Sequence, residues 1–217
     1  MKTLLVIDSS ARVNRSITRH LTRRVAANWL RLHPGGRVEH LDVGQNPPPA
    51  INENWIAAAY APQAERTPEM RAALAASDRY VDQLLAADAI VIGAPLYSFG
   101  MPAQLKAYFE QIVRVGRTFD FNGGEGDSYT GLVGDKPTLL VTSSGAGSVV
   151  IGGLGTGATH LEPQLLTTLR LMGIHDVTTV AFRGQQMDAA HVASELAAAE
   201  RAVDAWPAAA AVSVAAV

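Results

Sequence analysis

Five short apolar runs punctuate the chain, at positions 3–8, 38–43, 89–94, 138–142 and 177–182. Each is rich in Val, Ile or Leu and is bounded by Gly, Pro, Ser or Asp. Near-continuous apolarity, rather than alternation, marks strands covered on both faces and hence a parallel sheet. Between the runs, apolar residues recur at helical spacing. Segment 16–32 places Ile17, Leu21, Val25 and Leu32 on one stripe with arginines opposite. Segment 68–85 opens on a proline and carries Met70, Leu74, Val81 and Leu85, and 102–115 carries Leu105, Phe109, Ile112 and Val113. Segments 160–172 and 188–206 complete five helices. The alternation of strand and helix predicts an α/β doubly wound sheet with helices on both faces.

Composition narrows the picture. A chain of 217 residues, 48% hydrophobic and 18% charged, is expected to build one domain over 1–217, with the Ala-rich tail 207–217 peripheral. The 18 Lys and Arg against 20 Asp and Glu give a net charge of -2, a poor field for nucleic acid, and no nucleic-acid partner is expected. The absence of cysteine excludes disulfides, thiolate metal sites and Cys nucleophiles. The six histidines show no metal-ligand spacing, so no metal is expected. The first apolar run ends at Asp8, too soon for a signal-peptide core, and the apolar tail is too short to span a bilayer. The expectation is a cytoplasmic protein without a membrane partner.

Open α/β sheets bind ligands at the carboxyl ends of their strands, which directs attention to three loops. The first runs from Asp8 to Thr18, and its Ser10, Ser16 and Thr18 offer hydroxyls where a helix begins. Such a turn suits an anion, although Ser16 as a plain helix cap is the more ordinary account. It lacks the glycines and lysine of a P-loop. The second loop, after the third run, sets Tyr97 and Phe99 in a turn flanked by Pro95, Gly100 and Pro102. Its aromatics either hold a flat ring or cover the core. The third, Thr142 to Ser148, carries Gly145 and Gly147, which let backbone N–H groups approach a ligand or serve an ordinary flexible loop. Taken together, a phosphate cradle, an aromatic bracket and an N–H-rich loop fit one flat phosphorylated ligand, a flavin mononucleotide.

At this point the chain resembles the FMN-dependent NADH:quinone oxidoreductase/azoreductase family. The resemblance rests on Ser10 with Arg15-Ser16-Ile17-Thr18, on Ala94-Pro95-Leu96-Tyr97-Ser98-Phe99, and on Gln104-Leu105-Lys106-Ala107-Tyr108-Phe109-Glu110. It rests also on Gly116-Arg117-Thr118-Phe119 and Thr142-Ser143-Ser144-Gly145. It runs from the first strand to about Phe182, and more weakly to Trp206. It implies a flavodoxin-like five-stranded parallel sheet in the order 2-1-3-4-5 and a homodimer with one non-covalent FMN per subunit. By the same resemblance Ser10, Ser16, Ile17 and Thr18 bind the phosphate. Leu96, Tyr97, Ser98 and Phe99 flank the ring and ribityl chain, while Ser143, Ser144, Gly145 and Ala146 reach the ring edge. Phe119, Phe121 and His160 are candidates for the substrate side. Family members often carry Asn at the position of Ser98 and a second Gly at that of Ala146.

The flavin carries the redox chemistry, so no catalytic side chain is required beyond it. The implied reaction is a ping-pong exchange in which NADH or NADPH reduces FMN and leaves. A quinone then takes two electrons, or an aromatic azo compound is cleaved reductively. Reduced flavin gathers negative charge at one ring edge, where N–H groups of the Gly145–147 loop would stabilise it. Two alternatives stand beside this: a flavin reductase that releases its FMN, and a non-enzymatic electron carrier, which would ordinarily be far more acidic. A G-x-G-x-x-A match at 153–158 lacks the full preceding strand and the acidic residue of a dinucleotide fingerprint, and suits an active-site rim better.

Overall fold

The computed structural model describes residues 1–123, 128–145, 150–151, 155–156, 159–185 and 187–213. Its main sheet contains β1 (Thr3–Asp8), β2 (Arg37–Asp42), β3 (Ala89–Pro95), β6 (Thr138–Ser143) and β9 (Val177–Phe182). These pair in the order β2-β1-β3-β6-β9, all parallel. Counting only these five strands, that is the expected 2-1-3-4-5. β1, β3 and β6 are buried along their whole length, whereas β2 and β9 are edge strands with partly exposed residues.

Helices cover both faces. α1 (Ile17–Leu32) and α6 (Ala189–Ser213) press Leu21, Val25, Trp29, Ala199, Val203 and Trp206 onto Leu4, Val6, Val91, Leu139 and Val141. On the other face α3 (Pro68–Ala86), α4 (Ala103–Ile112) and α5 (Leu161–Leu171) bury Val81, Leu84, Leu105, Tyr108, Phe109 and Leu165 against Leu5, Ile7, Ile90, Ile92 and Leu140. The alternating faces of β1 and β3 thus serve two separate cores.

Several expectations shift. Leu32 and Leu85, placed on buried stripes, are partly exposed, and Trp29 and Leu84 take their places. The third helix of the sequence pattern ends at Ile112, with Val113 as its C-cap, rather than reaching 115. A short α2 (Glu53–Tyr60), capped by the Asn52 side chain, lies where no element was expected. The Gly-rich segment after α4 is a hairpin of β4 (Phe119–Asn122) and β5 (Ser128–Gly131). A Cβ on Gly131 would sit 2.1 Å from the Gly173 amide nitrogen, so the hairpin packs directly on the backbone turn after α5. A second small pair joins β7 (Val150–Ile151) and β8 (Gly155–Thr156). Ala146, Gly147, most of the 153–158 motif and the last four residues of the tail lie outside the described residues. Among the described residues no helix is long and apolar enough to cross a membrane.

Candidate active site

The carboxyl ends of β1, β3 and β6 lie side by side, and hydrogen bonds stitch the loops leaving them into one rim. Ser9 donates from both its amide and its hydroxyl to the Gly93 carbonyl, at 3.1 and 2.8 Å. The Ala11 amide donates to the Tyr97 hydroxyl at 3.3 Å, joining the first and second loops. The Leu96 amide donates to the Ser143 carbonyl at 2.7 Å, joining the second and third. Ser144 continues the chain, its amide donating to Phe182 and its carbonyl accepting from Gln185. His160 enters through its backbone: its amide donates to the Phe99 carbonyl at 2.7 Å, and its side chain is exposed.

The first loop ends in a capped helix. Ser16 has extended backbone, and its hydroxyl accepts from the Arg19 amide at 3.3 Å while its carbonyl accepts from His20. The amides of Ile17 and Thr18 precede the first intrahelical bond and face out of the N-terminus. The Ser16 and Thr18 hydroxyls are 3.1 Å apart. Ser16 and Ile17 are half-buried, whereas Thr18 and Ser10 are buried, and the Ser10 hydroxyl accepts from the Arg12 amide at 3.2 Å. The helix end therefore concentrates donors and positive dipole at one point.

The second loop is a tight reverse turn. Tyr97 and Gly100 exchange both backbone hydrogen bonds, and Ser98 and Phe99 between them have φ of +46° and +64°. Two successive left-handed residues define the type I′ geometry that Gly and Asn normally fill. Left-handed backbone at a non-glycine residue is strained by about 1–2 kcal/mol, and here that strain sits at the rim. Asn tolerates this region better than Ser, so Ser98→Asn is expected to raise stability by about 0.5–1 kcal/mol in denaturant titration. An unchanged or lower midpoint would contradict that assignment of strain.

Phe119 and Phe121 part company. Phe119 is buried in the hairpin base, and Phe121 is 45% exposed with its ring 5.4 Å from that of Tyr129. Among the described residues no hydrogen bond or ring contact ties either to the three loops.

Beneath the first loop lies an ionic cluster that the sequence did not advertise. The sequence pattern sets the α1 arginines opposite the apolar stripe, yet Arg19 is only 2% exposed and Arg24 is paired with Asp204 of α6. Arg19 forms a two-pronged pair with Asp42, both bonds 2.6 Å, and donates to the Ser10 carbonyl. Burial alone would raise the Asp42 carboxyl, but the hydrogen bonds and charge of Arg19 hold it below the usual aspartate value. The buried Asp8 accepts from Thr22 at 2.9 Å and bonds His40 at 2.7 Å. That bond raises the His40 pKa; burial opposes it, the Asp8 and Asp42 charges add to it, and Arg19 subtracts. A histidine raised in the folded state stabilises fully below its unfolded pKa of about 6.5, and the gain is lost as pH rises through the folded value. The stability gap between the native chain and His40→Gln should therefore shrink as pH is raised from about 6 to 9. A gap constant across that range in thermal melts would contradict the pairing.

A family model described as flavodoxin-like fold matches residues 2–206. The FMN-dependent NADH:quinone oxidoreductase of Opitutus terrae is 46% identical over 204 residues, covering 94% of this chain and 96% of its own. The chain belongs to the FMN-dependent NADH:quinone oxidoreductase family. The FMN-dependent NAD(P)H:quinone oxidoreductase 1 of Pseudomonas aeruginosa is 40% identical, with 86% and 89% of the two chains covered. Among solved structures, an azoreductase from Bacillus anthracis superposes with a TM-score of 0.82 at 22% identity, over 95% of this chain and 99% of that one. At that identity the likeness speaks for the fold. In this oxidoreductase the three loops thus occupy the crevice where flavodoxin-like sheets place ligands.

Proposed function

We propose that the chain is a single-domain, FMN-dependent NAD(P)H:quinone oxidoreductase that also cleaves aromatic azo compounds. When bound, FMN supplies the electron transfer, taking two electrons from NADH or NADPH and passing them to a quinone or azo acceptor. The residues fit that group. The α1 N-terminus, with the Ile17 and Thr18 amides and the Ser16 and Thr18 hydroxyls, supplies donors suited to a phosphate. Ser10 folds the turn from below. The left-handed turn raises Leu96, Tyr97, Ser98 and Phe99 at the rim, where Phe99 is 43% exposed, as a wall for a flat ring. Ser143, at the end of β6, with Ser144 and Gly145 after it, leads toward the side proposed for the ring edge, and the assignment of Ala146 to that edge falls outside the described residues. On this reading Phe121 and His160, whose amide donates to the Phe99 carbonyl, would serve the acceptor side, with the buried Phe119 supporting Phe121.

The observation that carries this function is the continuous hydrogen-bonded rim, Ala11–Tyr97 and Leu96–Ser143, which unites a phosphate turn with an aromatic turn. A homodimer in the cytoplasm completes the proposal, the exposed Phe121 and Tyr129 offering apolar surface toward a second copy. The test is steady-state kinetics with NADH and a soluble quinone. Parallel double-reciprocal lines, with flavin retained through gel filtration, are the expected result. Dependence of the rate on added FMN as a consumed substrate would point to a flavin reductase, and no oxidation of NADH or NADPH without a protein partner would point to a carrier.

A further inference from the structure

We propose that Arg19 is a positioning residue for flavin binding: clamped by Asp42, it fixes the Ser10 carbonyl and so sets the turn that presents the phosphate donors. Arg19 belongs to α1, one turn in from its cap, and its amide is itself held by the Ser16 hydroxyl. Its guanidinium reaches back under the loop, donating to the Ser10 carbonyl from Nε at 3.2 Å and from a terminal nitrogen at 2.7 Å. The same group grips both Asp42 oxygens at the carboxyl end of β2. One buried fork therefore ties three elements: the last residue of β2, the loop after β1 and the start of α1.

The fork has no slack. A Cβ on Gly44 would lie 2.4 Å from the Ser10 carbonyl oxygen and 2.9 Å from the Arg19 guanidinium, so the chain after β2 closes over the clamp. Asp8 adds a second carboxylate 3.9 Å from the guanidinium and is itself held by Thr22 and His40. A planar guanidinium matches a carboxylate and a carbonyl at once, which a lysine ammonium cannot do with the same geometry. Arg19 is buried and spends its donors on Asp42 and Ser10, so it acts on the ligand through the loop rather than by touching it. A rigid loop spares the ordering cost of binding, which is where a positioning residue gains affinity.

The inference rests on the phosphate-turn assignment above, and the two are separable by comparing FMN with riboflavin, which lacks the phosphate. Flavin is removed from the full chain, and both ligands are titrated by quenching of their fluorescence. The native chain is expected to prefer FMN strongly. Arg19→Met is expected to lower that preference roughly ten- to a hundredfold while riboflavin affinity stays within about twofold. Asp42→Asn, which leaves the arginine in place and frees its fork, is expected to shift the preference the same way by a smaller factor. Arg19→Lys is expected to recover thermal stability relative to Arg19→Met without recovering the FMN preference. A native chain that binds the two flavins equally overturns the phosphate-turn assignment and the clamp with it. A native chain that discriminates, alongside Met and Asn variants that discriminate equally well, overturns the clamp alone. Loss of both affinities in parallel with melting temperature marks Arg19 as merely structural and also overturns it.

Discussion

Gly44→Ala is expected to destabilise the chain by about 3 kcal/mol and to weaken FMN retention by roughly a hundredfold. The added methyl meets the Ser10 carbonyl oxygen at 2.4 Å and carbon at 2.9 Å, and these are backbone atoms that cannot rotate aside. Gly44 cannot retreat freely either, because its amide donates to the Asp8 carbonyl at 3.1 Å. Relief must come from pushing the β1–α1 loop away from β2, which separates Ser10 from Arg19 and displaces the donors at Ser16 to Thr18. Denaturant titration of the flavin-free chain measures the first effect and fluorescence titration the second. An alanine variant with native FMN affinity would show that the loop moves without consequence for the ligand.

Arg114 offers the second large effect. It directly follows the C-cap of α4, fully buried, with one terminal nitrogen donating to the Ser77 hydroxyl at 2.6 Å and to Asp78 at 3.3 Å. Its Nε and other terminal nitrogen make no hydrogen bond among the described residues, and the guanidinium lies 5.6 Å from the Trp55 ring centroid. Burial pulls its pKa down from the usual arginine value, with the Asp78 charge opposing. Arg114→Ala is expected to cost about 3 kcal/mol or more, through the void left between α3, α4 and Trp55. Arg114→Met, which fills most of that volume without a charge to desolvate, is expected to stay within about 1 kcal/mol of the native chain. Asp78 keeps Arg117 as a partner at 3.2 Å, so little uncompensated charge remains in either variant. If methionine proves as damaging as alanine, the charge rather than the volume is what the site needs.

Arg19, beneath Gly44, and Arg114 also mark where the sequence was opaque. β1, β3 and β6 were legible because both their faces are buried, leaving uninterrupted apolar runs. The start of α1 was legible because Ser16 is a strong capping residue immediately before the helical pattern. Arg19 and Arg114 were not, because an arginine in a helical pattern reads as solvent-facing until its distant partner is known. For Arg19 that partner, Asp42, comes from the next strand, and for Arg114 the partners Ser77 and Asp78 come from α3. The β4–β5 hairpin hid behind polar and glycine-rich composition, and besides the buried Phe119 it packs through close backbone approach of Gly131 to Gly173. The three rim loops were visible one by one. What the sequence could not convey is that Ala11 meets Tyr97 and Leu96 meets Ser143, since those contacts depend on the strand order.

The central claim is that this chain holds a redox-active FMN at the carboxyl rim of its sheet. Its most direct test is the absorbance spectrum of the purified protein, loaded with FMN and freed of excess flavin, before and after anaerobic addition of NADH. Flavin bands near roughly 370 and 450 nm that stay with the protein, lose intensity on addition of NADH and return when a quinone is supplied are the expected result. Protein that takes up no flavin, or whose bound flavin is unchanged by both NADH and NADPH, would contradict the account.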